Sequence, residues 1–163
     1  MAFLPEDFYV PTLVAGLRFQ LRPISVHDVI RYFDAVMTNR ERLWEQFGGL
    51  WGWPATDLSL EQHLVAVAWH QKEGELRRSF AYAVLTPDEA RLLGCVYIFP
   101  PRKAGADAEV VFWVRADQDE SGIEKELEEF VREWLDVTWP FEAARFPGRD
   151  MSWYEWQALP DIS

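Results

Sequence analysis

Glu109 stands at the head of an otherwise apolar run, Val110 to Val114. A carboxylate in that position can point into a cleft beside the strand. Burial there raises its pKa toward neutrality and lets it serve as a general base. The competing reading leaves it at the solvated mouth of the strand as an ordinary charge. Downstream, Asp117, Asp119, Glu120 and Glu124 gather where the chain enters a helix, with Ser121, Gly122 and Ile123 among them. A loop that carries a strand into a helix N-terminus is a common phosphate cradle, because free N–H groups and the helix dipole face the ligand. Acidic residues cap such ends on their own account. Here they also make a cradle whose charge opposes an anion.

Other reactive side chains are few. His63 and His70 lie seven residues apart on one predicted helix, which separates their backbones by about 10 Å. Two nitrogens on one zinc must each lie about 2 Å from it, so no metal site is expected. His27, His63 and His70 are expected at the surface or at helix caps. Cys95 falls inside an apolar strand and reads as a small buried hydrophobe rather than a nucleophile. As the single cysteine it permits no intrachain disulfide. Serine-hydrolase, P-loop, zinc-protease, CxxC and dinucleotide motifs are absent from the sequence.

The elements that must position these groups follow from the pattern. Residues 1–14, with Pro5 and Pro11, read as an irregular arm. Leu17 to Arg22 alternates as a strand. Ser25 with Asp28, and Ser59 with Gln62, form capping boxes that open helices. Arg40 to Phe47 is a further helical piece, expected to stop at Gly48-Gly49. In the helix that runs to about Gly74, Leu60, Leu64, Val67 and Ala68 mark the expected packed face. Phe80 to Leu85 and Leu92 to Phe99 form a hairpin around Thr86-Pro87-Asp88-Glu89, closed by Pro100-Pro101. A third strand spans AEVVFWVRAD, a helix follows Gly122, and Phe141 to Phe146 reads as a last short strand. The tail after Asp150 is aromatic and ambiguous. Helices interrupting a mostly antiparallel meander make the fold class α/β (α+β), one sheet flanked by helices.

Composition narrows the partners. The chain has 163 residues, read as one domain. Sixteen basic against 27 acidic residues give a net charge of −11. That excludes the basic footprint of a nucleic-acid binder and attraction to an anionic membrane surface. It favours a cationic partner. The lone cysteine and an N-terminus without a basic, apolar leader point to the cytoplasm. Nine tryptophans imply a large aromatic core. Some of them, such as Trp51, Trp53, Trp153 and Trp156, could instead line a pocket or a homodimer face.

The order and residues resemble a GNAT-type N-acetyltransferase over about residues 15–147. GLRFQLRPISVHDV resembles the family's first strand and helix start, FAYAVLTPDEARLLGCVYIF its second hairpin, AEVVFWVRAD its fourth strand, and EFVREWL the end of its cofactor helix. The resemblance implies an acyl-CoA N-acyltransferase fold and transfer of an acetyl group from acetyl-CoA to an amine. It implies Glu109 as the base. It further implies that the backbone of Val111, Phe112, Trp113 and Val114 holds the pantetheine, and that Ser121, Gly122 and Ile123 meet the diphosphate. Set against the family's loop motif, Gly122 takes the first glycine position. Asp119 stands where the family has Gln or Arg, and Glu124 where it has Gly or Ala. The family's tyrosine acid has one candidate in the short tail, Tyr154. A GNAT-like binding or dimerisation module without catalysis is the alternative that these departures raise.

Overall fold

Three strands with no exposed residue inside them form the centre of the molecule: β3 (Phe80–Leu85), β4 (Leu92–Phe99) and β5 (Ala108–Val114). In the computed structural model, which describes residues 2–163, they are neighbours in a six-stranded sheet. The order runs β1 (Val14–Ala15), β2 (Gln20–Pro23), β3, β4, β5 and β6 (Ala144–Arg145). Every pairing is antiparallel except the last, β5 with β6. Both faces of the central strands are covered, which is why they read as continuous apolar runs instead of alternating ones.

Alternation along β5 assigns its side chains to two cores. Val110, Phe112 and Val114 pack with Ile123, Leu127, Val131, Trp134 and Leu135 of α4 (Ile123–Thr138). Val111 and Trp113 pack on the other face. There they meet Tyr32, Ala35 and Val36 of α1 (Val29–Thr38), Leu43 and Phe47 of α2 (Arg40–Trp51), and Val67 of α3 (Leu60–Glu75). Gly94 lets β4 and β5 approach closely, since a Cβ there would run into the Trp113 carbonyl oxygen.

Both capping boxes form as expected, at Ser25–Asp28 and at Ser59–Gln62. Asp28 does more than cap. Its buried carboxylate accepts from Arg22 at 2.6 and 2.8 Å, from Arg31 at 2.8 Å and from the Ser25 N–H at 2.9 Å. Burial alone would raise its pKa, but these donors outweigh it and hold the carboxyl below its ordinary value. The stabilisation is therefore present above the unfolded carboxylate pKa of about 3.9. It is lost as the pH falls through the lower folded value. Asp28→Ala removes the buried carboxylate that Arg22 and Arg31 share, leaving them their contacts with Glu89, and is expected to cost about 3 kcal/mol, read as a lower urea midpoint at pH 7. The deficit should shrink in acid.

Several expectations need correction. Helix α2 does not stop at Gly48-Gly49. It continues to Trp51 and ends on Gly52, whose φ of 59° is the left-handed stop. Gly48 serves packing instead, because a Cβ there would collide with the Trp44 indole. The packed face of α3 is His63 and Val67, whereas Leu60 and Leu64 are exposed. His63 is thus a core residue, edge-on to Tyr32 and Phe33, and burial lowers its pKa. His70 packs against Tyr97, and burial holds it down to about 4. Cys95 is buried as expected, its thiol pushed up to about 12 by burial. The strand expected over Phe141 to Phe146 is only Ala144–Arg145. The N–H groups of Glu142 and Ala143 go to the Asp107 carboxylate, at 2.6 and 3.0 Å, in place of a ladder. The tail forms a short helix, α5 (Trp153–Ala158), capped by Ser152.

Candidate functional site

Strands β5 and β6 pair only at Ala108 with Ala144 and Glu109 with Arg145. Beyond that point β5 runs on to Val114, while the other chain segment turns away at Pro147-Gly148, where Gly148 has φ 82°. The divergence opens a slot of about 340 Å³ along the free edge of β5. Val111 and Phe112 form its floor, α2 contributes Arg42 and Gln46, α4 contributes Glu124, and the returning segment contributes Arg149 and Trp153. The Phe112 carbonyl faces the slot and accepts from Gln46 Nε2 at 3.2 Å and Arg149 Nη2 at 3.3 Å. The Arg149 guanidinium also lies 3.5 Å from the centre of the Phe112 ring.

At the mouth of the slot the chain leaves β5 through a 3-10 turn, Ala116–Ser121, and enters α4 at Gly122. Arg115 anchors this turn to Asp34 at 2.8 Å, and the Ala116 N–H donates to Asn39 Oδ1 at 2.6 Å. Asp117 is paired with Arg91 and Arg115. Its burial would raise its pKa, but the two cations bring it below the ordinary value. Ser121 Oγ donates to the Gln118 carbonyl at 2.6 Å and accepts from the Ile123 N–H at 3.2 Å. Gly122 adopts φ 74°, a conformation that disfavours any side chain.

The acidic residues of the loop are matched by arginines from distant elements. Asp119 pairs with Arg42 at 2.6 Å, and Glu124 pairs with Arg42 at 3.5 Å and Arg149 at 3.0 Å. Arg149 also reaches Glu128, one turn further along α4, at 3.0 Å. The cations that a diphosphate would need are therefore present. They stand across the slot from the loop, already engaged with carboxylates.

Glu109 lies on the α1–α3 face of β5 and is 3% exposed, so it is not at a solvated strand mouth. Its Oε1 accepts from Trp156 Nε1 at 2.9 Å, and Arg102 donates to both oxygens at 3.2 and 3.3 Å. The carboxylate borders a cleft of about 440 Å³ with Trp51, Phe99, Pro100, Pro101 and Arg102. A smaller cavity of about 210 Å³ shares Trp153 with the slot and shares Trp51 and Arg102 with the cleft. The three spaces form a row past the Trp51–Trp153 edge contact, whose ring centres are 6.1 Å apart.

Of the residues expected from sequence, Val111, Phe112, Gly122 and Glu109 stand along this row or at its mouth. The Trp113 and Val114 side chains lie in the two cores, and Trp113 Nε1 donates to the Tyr97 hydroxyl at 3.1 Å. Tyr154 is 83% exposed. Two positions on a helix turn the side chain through about 200°, so Trp156 reaches Glu109 while Tyr154 points away. Arg42, Gln46, Arg102 and Arg149 carry no sequence signal at all. Each is an isolated polar residue whose partner the fold supplies. Among the described residues, no three His, Cys, Asp or Glu side chains are grouped to hold a metal, and no helix is long and apolar enough to cross a membrane.

Known proteins share this fold. The sequence has no significant match among curated proteins. Solved structures match in fold. Ribosomal-protein-S5-alanine acetyltransferase from Vibrio fischeri superposes with a TM-score of 0.59 at 15% identity, over 77% of this chain and 67% of that one. Microcin C7 self immunity acetyltransferase MccE, solved with acetyl-CoA and AMP, gives 0.60 at 11% identity, over 78% and 68%. RimL, the ribosomal L7/L12 alpha-N-protein acetyltransferase, in its complex with coenzyme A, gives 0.59 at 14% identity, over 75% and 67%. A sequence profile described as acetyltransferase (GNAT) domain matches residues 18–156, nearly the whole of the sheet and its helices. The chain therefore belongs to the GNAT acetyltransferase family.

Proposed function

We propose that the protein transfers an acetyl group from acetyl-CoA to an amine. One observation carries the reading. The slot opened by the divergence of β5 and β6, with the α4 N-terminus at its mouth, neighbours two further cavities that share Trp153, Trp51 and Arg102 as walls, and a buried carboxylate borders the farther one. Two of the structures similar in fold, MccE and RimL, hold acetyl-CoA or coenzyme A.

The residues fit such a co-substrate on one condition. The Phe112 carbonyl is a backbone acceptor for a pantetheine amide, and Arg42 and Arg149 are cations for a diphosphate near Gly122 and Ile123. Arg149 must leave the Phe112 carbonyl for the slot to open. Acetyl-CoA supplies an acyl thioester. Glu109 takes a proton from the acceptor ammonium, directly or through one water. The freed amine then forms the N–C bond as the C–S bond breaks; the new amide nitrogen gives up its second proton, and the departing thiolate takes it and leaves as the free thiol. No side-chain acid is required, in keeping with the outward position of Tyr154.

Glu124→Gln tests the electrostatic half of this reading. The change removes one negative charge from the diphosphate's approach and leaves Arg42 on Asp119 and Arg149 on Glu128. Acetyl-CoA binding, measured by calorimetric titration, should tighten about tenfold, equivalent to about 1.4 kcal/mol. Unchanged or weaker binding would mean that Glu124 does not face the diphosphate.

The Arg149 contacts also favour a second reading, a closed slot in a non-catalytic binding or dimerisation module. Wild-type protein would then bind no acetyl-CoA, and paired Asp119→Arg and Glu124→Gly changes would create binding. The aromatic residues that suggested a dimer face differ in exposure, Trp51 being 39% exposed and Trp156 2%. Trp51 stacks on Phe47 at 4.7 Å, and Trp156 is buried against Glu109.

A further inference from the structure

Acetyl transfer leaves the identity of the amine open, and the cleft at Glu109 bears on it. The Glu109 carboxylate has two partners of different character. Trp156 is 2% exposed and fixed in the core, whereas the Arg102 side chain is 68% exposed on the loop after Pro101. A buried carboxylate cannot be left without a partner at small cost. Arg102 can therefore leave only if another cation takes its place. An ammonium group carries the same single charge and three N–H donors.

The remaining walls admit little else that is polar. Trp51, Phe99, Pro100 and Pro101 are apolar ring residues, and Arg102 and Glu109 are the only charged groups lining the cleft among the described residues. The two aromatic walls are braced from behind. Trp51 stacks on Phe47 with an interplanar angle of 5°, and Phe99 stacks on Tyr97 at 4°. A volume of about 440 Å³ takes a ring-sized body. A polyamine or a hydroxyl-rich amine would bring further polar groups against these rings with nothing to bond them.

Resting on the acetyl-transfer reading, we infer that the acceptor is a primary amine carried on an apolar, ring-sized body. The body sits between Trp51 and the Phe99–Pro101 strand end, and the ammonium replaces the Arg102 guanidinium on Glu109. The amine then approaches the slot beside Phe112 by way of the cavity walled by Trp51 and Trp153, which borders both spaces.

The test uses the whole wild-type chain without coenzyme, so that its outcome is separate from that of any acetyl-CoA titration. Binding of 2-phenylethylamine, 2-phenylethanol, ethanolamine and spermidine is followed by tryptophan fluorescence and calorimetry at pH 7.5, where the amines are mainly protonated. Saturable binding of 2-phenylethylamine is expected, at least tenfold tighter than that of the other three. Arg102→Ala should tighten it several-fold by removing the competing cation, and Glu109→Gln should abolish the preference for the amine over the alcohol. The inference is overturned if ethanolamine or spermidine binds as well as 2-phenylethylamine, if Arg102→Ala weakens the amine, or if none of the four probes binds. Failure of acetyl-CoA to bind, with amine binding intact, would sink the transfer reading and leave the amine cleft standing.

Discussion

Glu109→Gln is expected to lower kcat/KM for acetyl transfer to the best amine acceptor by about 100-fold or more, the usual contribution of a positioned general base. Glutamine has nearly the same shape, and its amide oxygen can still accept from Trp156 Nε1, now at 2.9 Å from the carboxylate. It cannot take a proton, and it cannot pair with a cation. The loss should therefore fall on turnover. Acetyl-CoA affinity should persist, because the slot is built from Phe112, Arg42, Arg149 and the start of α4. Activity within threefold of wild type, measured by thiol release, would remove Glu109 from the chemistry.

Trp113→Ala is expected to cost about 3–5 kcal/mol, the range for emptying a large aromatic site in a core. Trp113 is completely buried and lies on the same face of β5 as Glu109 and Val111. Its ring approaches Tyr32 at 6.2 Å and Trp53 at 6.4 Å, tying β5 to α1 and to the segment after α2. Its Nε1 donates to the Tyr97 hydroxyl, which in turn meets the Tyr32 hydroxyl at 3.2 Å. Alanine leaves a cavity and removes one member of this buried chain. A natural domain is stable by only about 5–15 kcal/mol, so the variant should lose a large part of its urea midpoint. Trp113→Phe keeps most of the volume and should lose about 1–2 kcal/mol through the missing hydrogen bond. Equal loss by the two variants would show that the hydrogen bond, and not packing, accounts for most of the cost.

What could be read from sequence was local. Ser25–Asp28 and Ser59–Gln62 announce helix starts because each box closes within four residues. The apolar runs of β3, β4 and β5 are legible because burial on both faces excludes polar residues. Gly122 is legible because a strand-to-helix turn needs a left-handed residue there. Pattern alone misplaces the end of α2, since Gly48 relieves a contact with Trp44 and the stop falls on Gly52. It also misplaces the packed face of α3, where His63 is buried and Leu60 and Leu64 are exposed. A hydrophobicity ranking puts leucine inside and histidine outside, but the geometry of Tyr32 and Phe33 selects the ring that fits.

The site shows the same division. The acidic loop reads from sequence as a cradle of the wrong sign. In the fold, Asp119 meets Arg42 from 77 positions away and Glu124 meets Arg149 from 25. No spacing rule reports such pairs, because only the β5–β6 divergence brings α2, α4 and the returning segment to one edge. Glu109 is visible as a carboxylate in an apolar strand, whereas its partners Arg102 and Trp156 are not. One strand serves both spaces because the Phe112 carbonyl faces the slot at its edge while the Glu109 side chain borders the cleft.

Titration of the wild-type protein with acetyl-CoA tests the central claim most directly. Saturable one-to-one binding is expected, with a rise in Tm and a change in tryptophan fluorescence as Trp153 and Arg149 give way beside Phe112. Absence of both binding heat and thermal stabilisation at millimolar acetyl-CoA would contradict it.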